Sequence, residues 1–136
     1  MKNQRNFQTK SYLSLILISL LFLFSCTKVE EEYIPSTYTF KYSVNDYAGL
    51  SIDITLFEFN NLGEKIGTNS INNCKNGTMK TFTANKMAEK VKIFYILRTG
   101  TVSSTGKWVQ QVFYLNKSDK ATIEMTNNSI VGSNEP

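Results

Sequence analysis

"TYTFKYSV", residues 37–44, sets Tyr38, Phe40, Tyr42 and Val44 on one face of an extended chain and Thr37, Thr39, Lys41 and Ser43 on the other. Successive side chains of a strand point to opposite faces, so a period of two marks a strand with one buried face. Working outward, "VKIFYILR" (91–98) is apolar on both parities. Val91, Ile93, Tyr95 and Leu97 face one way and Phe94 and Ile96 the other, as expected of a central strand. "LSIDITLFEF" (50–59) sets Ile52, Ile54 and Leu56 on one side, after which Phe57 and Phe59 take the opposite parity. A bulge near Phe57, or a strand covered on both faces, explains that change.

The segments between these strands are turns. "NNLGEK" (60–65) contains Gly63, and "KNGT" (75–78) contains Asn-Gly, a pair that favours positive φ. "KIGTNSI" (65–71) reads as an edge strand and "MKTFTA" (79–84) as a strand around Phe82. "NKMAEK" (85–90) has room for one helical turn, and "TGTVSSTG" (99–106) is a flexible loop of small residues. "KWVQQVFYLN" (107–116) turns Val109, Phe113 and Leu115 inward, leaving Trp108 and Tyr114 outward beside Gln110. "ATIEMT" (121–126) alternates cleanly, and residues 128–136 form a polar, frayed tail. The expected fold is all-β: a small antiparallel β-sandwich of about seven strands over residues 37–127.

"ITLFEFNNLGEKIGTNSI", "NGTMKTF" and "EKVKIFYI", within residues 54–96, resemble the transthyretin-like or carboxypeptidase-regulatory-like sandwiches. Met79 departs from that pattern, which often has an aromatic there. An immunoglobulin-like topology is the competing arrangement; the Cys-Trp-Cys core of antibody domains is absent, which does not exclude it.

Before residue 37 the chain changes character. Lys2, Arg5 and Lys10 precede the apolar run Tyr12–Phe24, which is 13 residues long. At about 1.5 Å per residue it covers roughly 20 Å, short of the ~30 Å hydrocarbon core. A basic start, a short apolar core and a small residue after it make residues 1–25 an expected secretory signal peptide. Leu23, Phe24 and Ser25 before Cys26 resemble a bacterial lipobox. That resemblance implies acylation of Cys26 and cleavage before it, with two or three chains holding the mature protein to a membrane. "CTKVEEEY" then resembles the acidic export signal of Bacteroidota-type surface lipoproteins, carried by Lys28, Glu30, Glu31 and Glu32. It implies an outer-membrane protein exposed at the cell surface; a charged spacer under a domain on the periplasmic face is the alternative. Residues 26–36 serve as the tether in either case.

Three of the 15 basic residues lie in the signal, which leaves 12 against 11 acids. This near-neutral chain has no basic stripe for nucleic acid. It has no histidine, which removes Ser-His-Asp and Cys-His catalysis and histidine-bound zinc. Cys74 is the one cysteine besides Cys26, so once Cys26 is acylated no internal disulfide forms, and Cys74 is expected to be half-buried and inert. The expectation is therefore a non-enzymatic binding or assembly module with no cofactor and no bound metal. Its partners would be the membrane, through the lipid anchor, and a protein or glycan at the cell surface. Trp108, Tyr114 and Gln110 are the candidate ligand contacts, because outward aromatics beside amides stack on sugar rings or on a protein partner. A small hydrolase would instead require Asp46, Asp53 and Glu58 to converge, whereas Glu58 and Glu64 flank a hairpin, where acids are usually solvated. A calcium site would use Asn45 and Asp46.

Overall fold

The computed structural model describes residues 36–45, 49–116 and 120–136. These belong to one compact unit, Tyr33–Pro136; a separate unit, Met1–Glu32, lies outside the described residues and takes the signal, Cys26 and the acidic triplet with it. The strands in chain order are β1 (Thr37–Ser43), β2 (Ser51–Phe59), β3 (Lys65–Cys74), β4 (Met79–Thr83) and β5 (Lys90–Thr99). There follow β6 (Val102–Ser103), β7 (Lys107–Val109), β8 (Phe113–Tyr114), β9 (Lys120–Thr126) and β10 (Val131–Gly132). They form two packed sheets, so the domain is all-β and sandwich-like. The small sheet has the order β4-β1-β9 and the large one β10-β7-β5-β2-β3, with β6 and β8 also paired to β5.

The alternation in residues 37–44 holds: Tyr38, Phe40 and Tyr42 are buried. They pack with Ile54, Leu56, Val91, Ile93, Val109, Ile123 and Met125 between the sheets. Burying these side chains is the main favourable term in the fold, at about 1.5–3 kcal/mol for each large apolar group. β5 is central, as expected, and β2 lies beside it in unbroken register from Ser51↔Arg98 to Phe59↔Lys90.

Five expectations are corrected. The sheets are not wholly antiparallel, because β9 pairs parallel to β1 over its length. No hairpin joins those two strands; β9 is reached from β8 in the other sheet and starts at the same end as β1, so both run the same way. The bulges lie on β3 rather than near Phe57, at Ile66 and around Asn73, whose φ is 54°. β2 itself stays in unbroken register with β5, and Phe57 joins an aromatic cluster on its outer face. Residues 85–88 form a turn without helix: Asn85 accepts from the Met87 amide through its side chain (3.1 Å) and from the Ala88 amide through its carbonyl (2.9 Å). The loop 99–106 is partly ordered as β6, held by Arg98↔Ser103 and Thr99↔Val102. Residues 128–136 are not frayed. β10 pairs with β7, and Glu135 bonds to Lys92 at 2.7 Å. The second strand lies with the third and fifth, whereas the immunoglobulin arrangement places it with the first, fourth and fifth.

Turns gather at two ends. The lower end holds Ser36, the turn at 60–63, the turn at 85–88, and β8. The upper end holds the chain between β1 and β2, the turn at 75–78, and the β5–β6 hairpin.

Candidate functional site

Three features stand out among the described residues. The first is an aromatic cluster on the outer face of the large sheet. Trp108 on β7 is directly opposite Phe94 on β5, with ring centroids 5.0 Å apart, and 5.5 Å from Phe57 on β2. Tilted rings at these centroid distances are in favourable contact. Gly106 makes room for this packing, since a Cβ there would lie 1.8 Å from the Phe94 ring. Lys65 Nζ sits 4.9 Å over Phe57, and Lys92 Nζ sits 4.5 Å over Phe59. Thr55 and Thr68 are the cross-strand neighbours of Phe94 and Phe57, so the rings border hydroxyl groups.

The second feature is a buried carboxylate. Glu58 follows Ile54 and Leu56 on the inner face of β2 and is 2% exposed. Its Oε1 accepts from the Tyr38 hydroxyl (2.9 Å) and from Asn69 Nδ2 (3.0 Å). Its Oε2 accepts from the Asn85 amide (2.9 Å). Asn69 Nδ2 also donates to the Tyr38 oxygen at 2.9 Å. Burial and the neighbouring Glu58 charge push the Tyr38 phenol far above its ordinary range, so it stays protonated and donates. The cluster ties both sheets and the 85–88 turn together. Gly67 lies opposite Glu58, and a Cβ there would be 2.4 Å from Oε2.

The third feature is a cavity of about 190 Å³ between the sheets at the upper end. Tyr42, Val44, Ile52, Cys74, Tyr95, Leu97 and Met125 line it, with Asn45 and Leu50 at its margin. Cys74 is buried rather than half-buried, and its thiol lies 3.6 Å from the Ile71 carbonyl oxygen. Desolvation first, and the Asp53 charge second, push that thiol up to about 11, so it is protonated and a poor nucleophile at neutral pH.

The sequence-derived site residues do not assemble into one groove. Trp108 is half-buried in the aromatic cluster, whereas Tyr114 is 73% exposed. They share the outer face, but Trp108 pairs with Phe94 and Tyr114 with Lys90, four residues apart along β5, or about 13 Å at 3.3 Å per residue. Gln110 Nε2 donates to the Asn134 carbonyl oxygen at 3.0 Å, which fastens the C-terminal segment. Asp53 points away from Glu58, on the opposite face of β2. It is ion-paired to Arg98 and accepts from the Asn73 amide at 3.0 Å. The Asn73 amide first, then Arg98, hold its carboxyl below the ordinary value of 3.8. Asp46 lies outside the described residues, and the Asn45 amide donates to Asn127 Oδ1 at 2.9 Å. No group of three cysteine, aspartate or glutamate side chains among the described residues could hold a metal ion.

Glu58 is the residue that reasoning from sequence missed. It was expected to be a solvated acid beside a hairpin. Two signals pointed inward: its parity continues that of Ile54 and Leu56, and Gly67 interrupts the facing strand, which often marks a close approach.

The chain matches no family model, no curated protein and no solved structure.

Proposed function

We propose that the chain is a non-enzymatic lipoprotein, acylated at Cys26 and held on the outer membrane with its sandwich at the cell surface, where it acts as a binding or assembly module. The polarity of the domain carries this reading. Ser36, where the chain arrives from Cys26 and the Glu30–Glu32 triplet, is fixed at the lower end. The Ala84 amide donates to its carbonyl at 2.8 Å, and its hydroxyl donates to the Asn116 carbonyl at 3.2 Å. The apolar cavity is at the upper end. An anchor on Cys26 holds the lower end near the membrane and presents the upper end outward. The cavity suits a small apolar group, such as one inserted by a partner protein, and offers no activated nucleophile. Asp53 and Glu58 face opposite ways, so these two do not form the acid pair of a hydrolase. Among sandwich topologies the transthyretin-like one is retained, since the strand order departs from the immunoglobulin arrangement.

Protease shaving of intact cells tests the address, with a periplasmic lipoprotein as control. Release of the domain from sealed cells is the expected result. Survival until the outer membrane is broken would make Lys28 and Glu30–Glu32 a spacer and turn the domain toward the periplasm. Cys26→Ala should leave the protein unacylated and soluble.

A second reading rests on the outer aromatic cluster. Half-buried rings bordered by Thr55 and Thr68 suit stacking on a sugar. Titrating Trp108 emission with oligosaccharides tests it, and an unchanged spectrum at millimolar sugar would remove it.

A further inference from the structure

We infer that the lower end of the sandwich rests on the phospholipid surface that carries the anchor, through Leu62, Met87 and Tyr114. The inference rests on the lipoprotein reading above. These three side chains are 77%, 61% and 73% exposed and stand on three segments of that end: the turn at 60–63, the turn at 85–88 and β8. Backbone bonds hold the loops side by side. The Glu89 amide donates to the Phe59 carbonyl at 2.9 Å, and the Leu115 amide donates to the Glu89 carbonyl at 2.7 Å. The three apolar tips therefore lie at one end of a rigid support.

Three observations favour lipid as the occupant. First, the chain enters the domain at this end, at Ser36. Ser36 follows Cys26 by ten positions, a stretch that spans at most about 35 Å when fully extended. A membrane reached through so short a tether is at high effective concentration, so a contact too weak to form between free partners still forms. Second, the tips are of the interfacial type: a tyrosine places a ring in the acyl boundary and its hydroxyl among headgroups, and leucine and methionine add buried apolar area. Third, Lys90 lies directly opposite Tyr114 and Lys65 follows Leu62 by three residues, and their ammonium groups complement phosphate headgroups. The upper end also exposes apolar side chains, Val102 at 69% and Met79 at 67%, but no tether holds it against a membrane. Those two positions are internal controls.

The test uses the full acylated chain in vesicles of equimolar phosphatidylethanolamine and phosphatidylglycerol. Single substitutions L62C, M87C, Y114C, M79C and V102C each take an environment-sensitive fluorophore. All five positions are exposed, where substitutions perturb folding little. Cys74 stays unlabelled because it is buried, and Cys26 because it is acylated. Expected are a blue-shifted emission at 62, 87 and 114, and quenching by doxyl-labelled lipid several times stronger there than at 79 and 102. Equal quenching at all five positions, in protein that floats with the vesicles, overturns the contact and leaves the anchor standing. A blue shift without lipid quenching overturns it in favour of a protein partner. Failure to float, with Cys26 taking the label, overturns the anchor and this inference with it.

Discussion

At the lower end of the sandwich a carboxylate, a phenol and the Asn69 side chain meet between the sheets, closed by the Asn85 backbone amide; at the upper end the corresponding space is a cavity walled by apolar side chains. The two ends share strands. β1 contributes Tyr38 to one and Tyr42 to the other, and β3 contributes Asn69 and Cys74. A hydrogen-bonded cluster fixes distances, because each buried donor or acceptor left unmatched is costly. Apolar walls impose no such rule and leave room for a group to enter. The domain is pinned by hydrogen bonds at the end where Ser36 enters and open at its far end.

The largest effect is expected from Glu58→Ala. It strands the Tyr38 hydroxyl proton and the Asn85 amide, leaves Asn69 Nδ2 only its bond to the Tyr38 oxygen, and should lower stability by about 2–5 kcal/mol in urea unfolding. A loss under about 1 kcal/mol would mean that water or another donor replaces the cluster, and the contrast between the ends would fail. Gly67→Ala comes next. Its methyl meets Glu58 Oε2, which the Asn85 amide already holds, so overpacking should cost about 1–3 kcal/mol. A matched pair sharpens the comparison. Tyr38→Phe should cost about 1.5–2 kcal/mol, because it removes a donor to a buried carboxylate, whereas Tyr95→Phe at the cavity should stay within about 0.5 kcal/mol. Equal losses in calorimetry would show that the cavity end is as tightly specified as the other.

Cys74 probes the upper end by reactivity. A thiol moved from 9.0 to about 11 carries roughly a hundredth of the thiolate at neutral pH, and burial slows it further. Disulfide exchange at pH 7 should therefore run at least about a hundredfold slower than in the urea-unfolded chain, and a comparable rate would mean that the cavity opens readily. The smallest effect belongs to Asp53, whose carboxyl is held below 3.8. A depressed carboxyl gives stability that is fully present above the unfolded value and lost as pH falls through the folded one. Asp53→Asn should therefore lower stability slightly at pH 7 and flatten the acid loss below about pH 4. An acid limb as steep as in the unsubstituted protein would assign that loss to other carboxylates.

Most strands were legible because local chemistry specifies them. The alternation in residues 37–44, the Asn-Gly turn at 76–77 and the double-sided run 91–98 each carry their own signal, and all three match the structure. The site was less legible. Trp108 and Tyr114 read as neighbours from parity alone. In the structure they share that face but lie opposite Phe94 and Lys90, four residues apart along β5, because parity fixes a face and not a distance. Glu58 was misplaced because an acid beside a hairpin is usually solvated. Its partners come from 20, 11 and 27 residues away, and no local pattern announces them.

By itself the sequence determined an all-β domain of short strands and the placement of most of its core residues. These follow from the period of side chains along a strand and from where apolar and charged residues sit. Tertiary structure alone decided the parallel pairing of β1 with β9, the burial of Glu58, the docking of the C-terminal segment, and the contrast between a pinned end and an open one. Those features depend on which distant segments meet, and such meetings are set by the packing of two sheets rather than by any stretch of the chain alone.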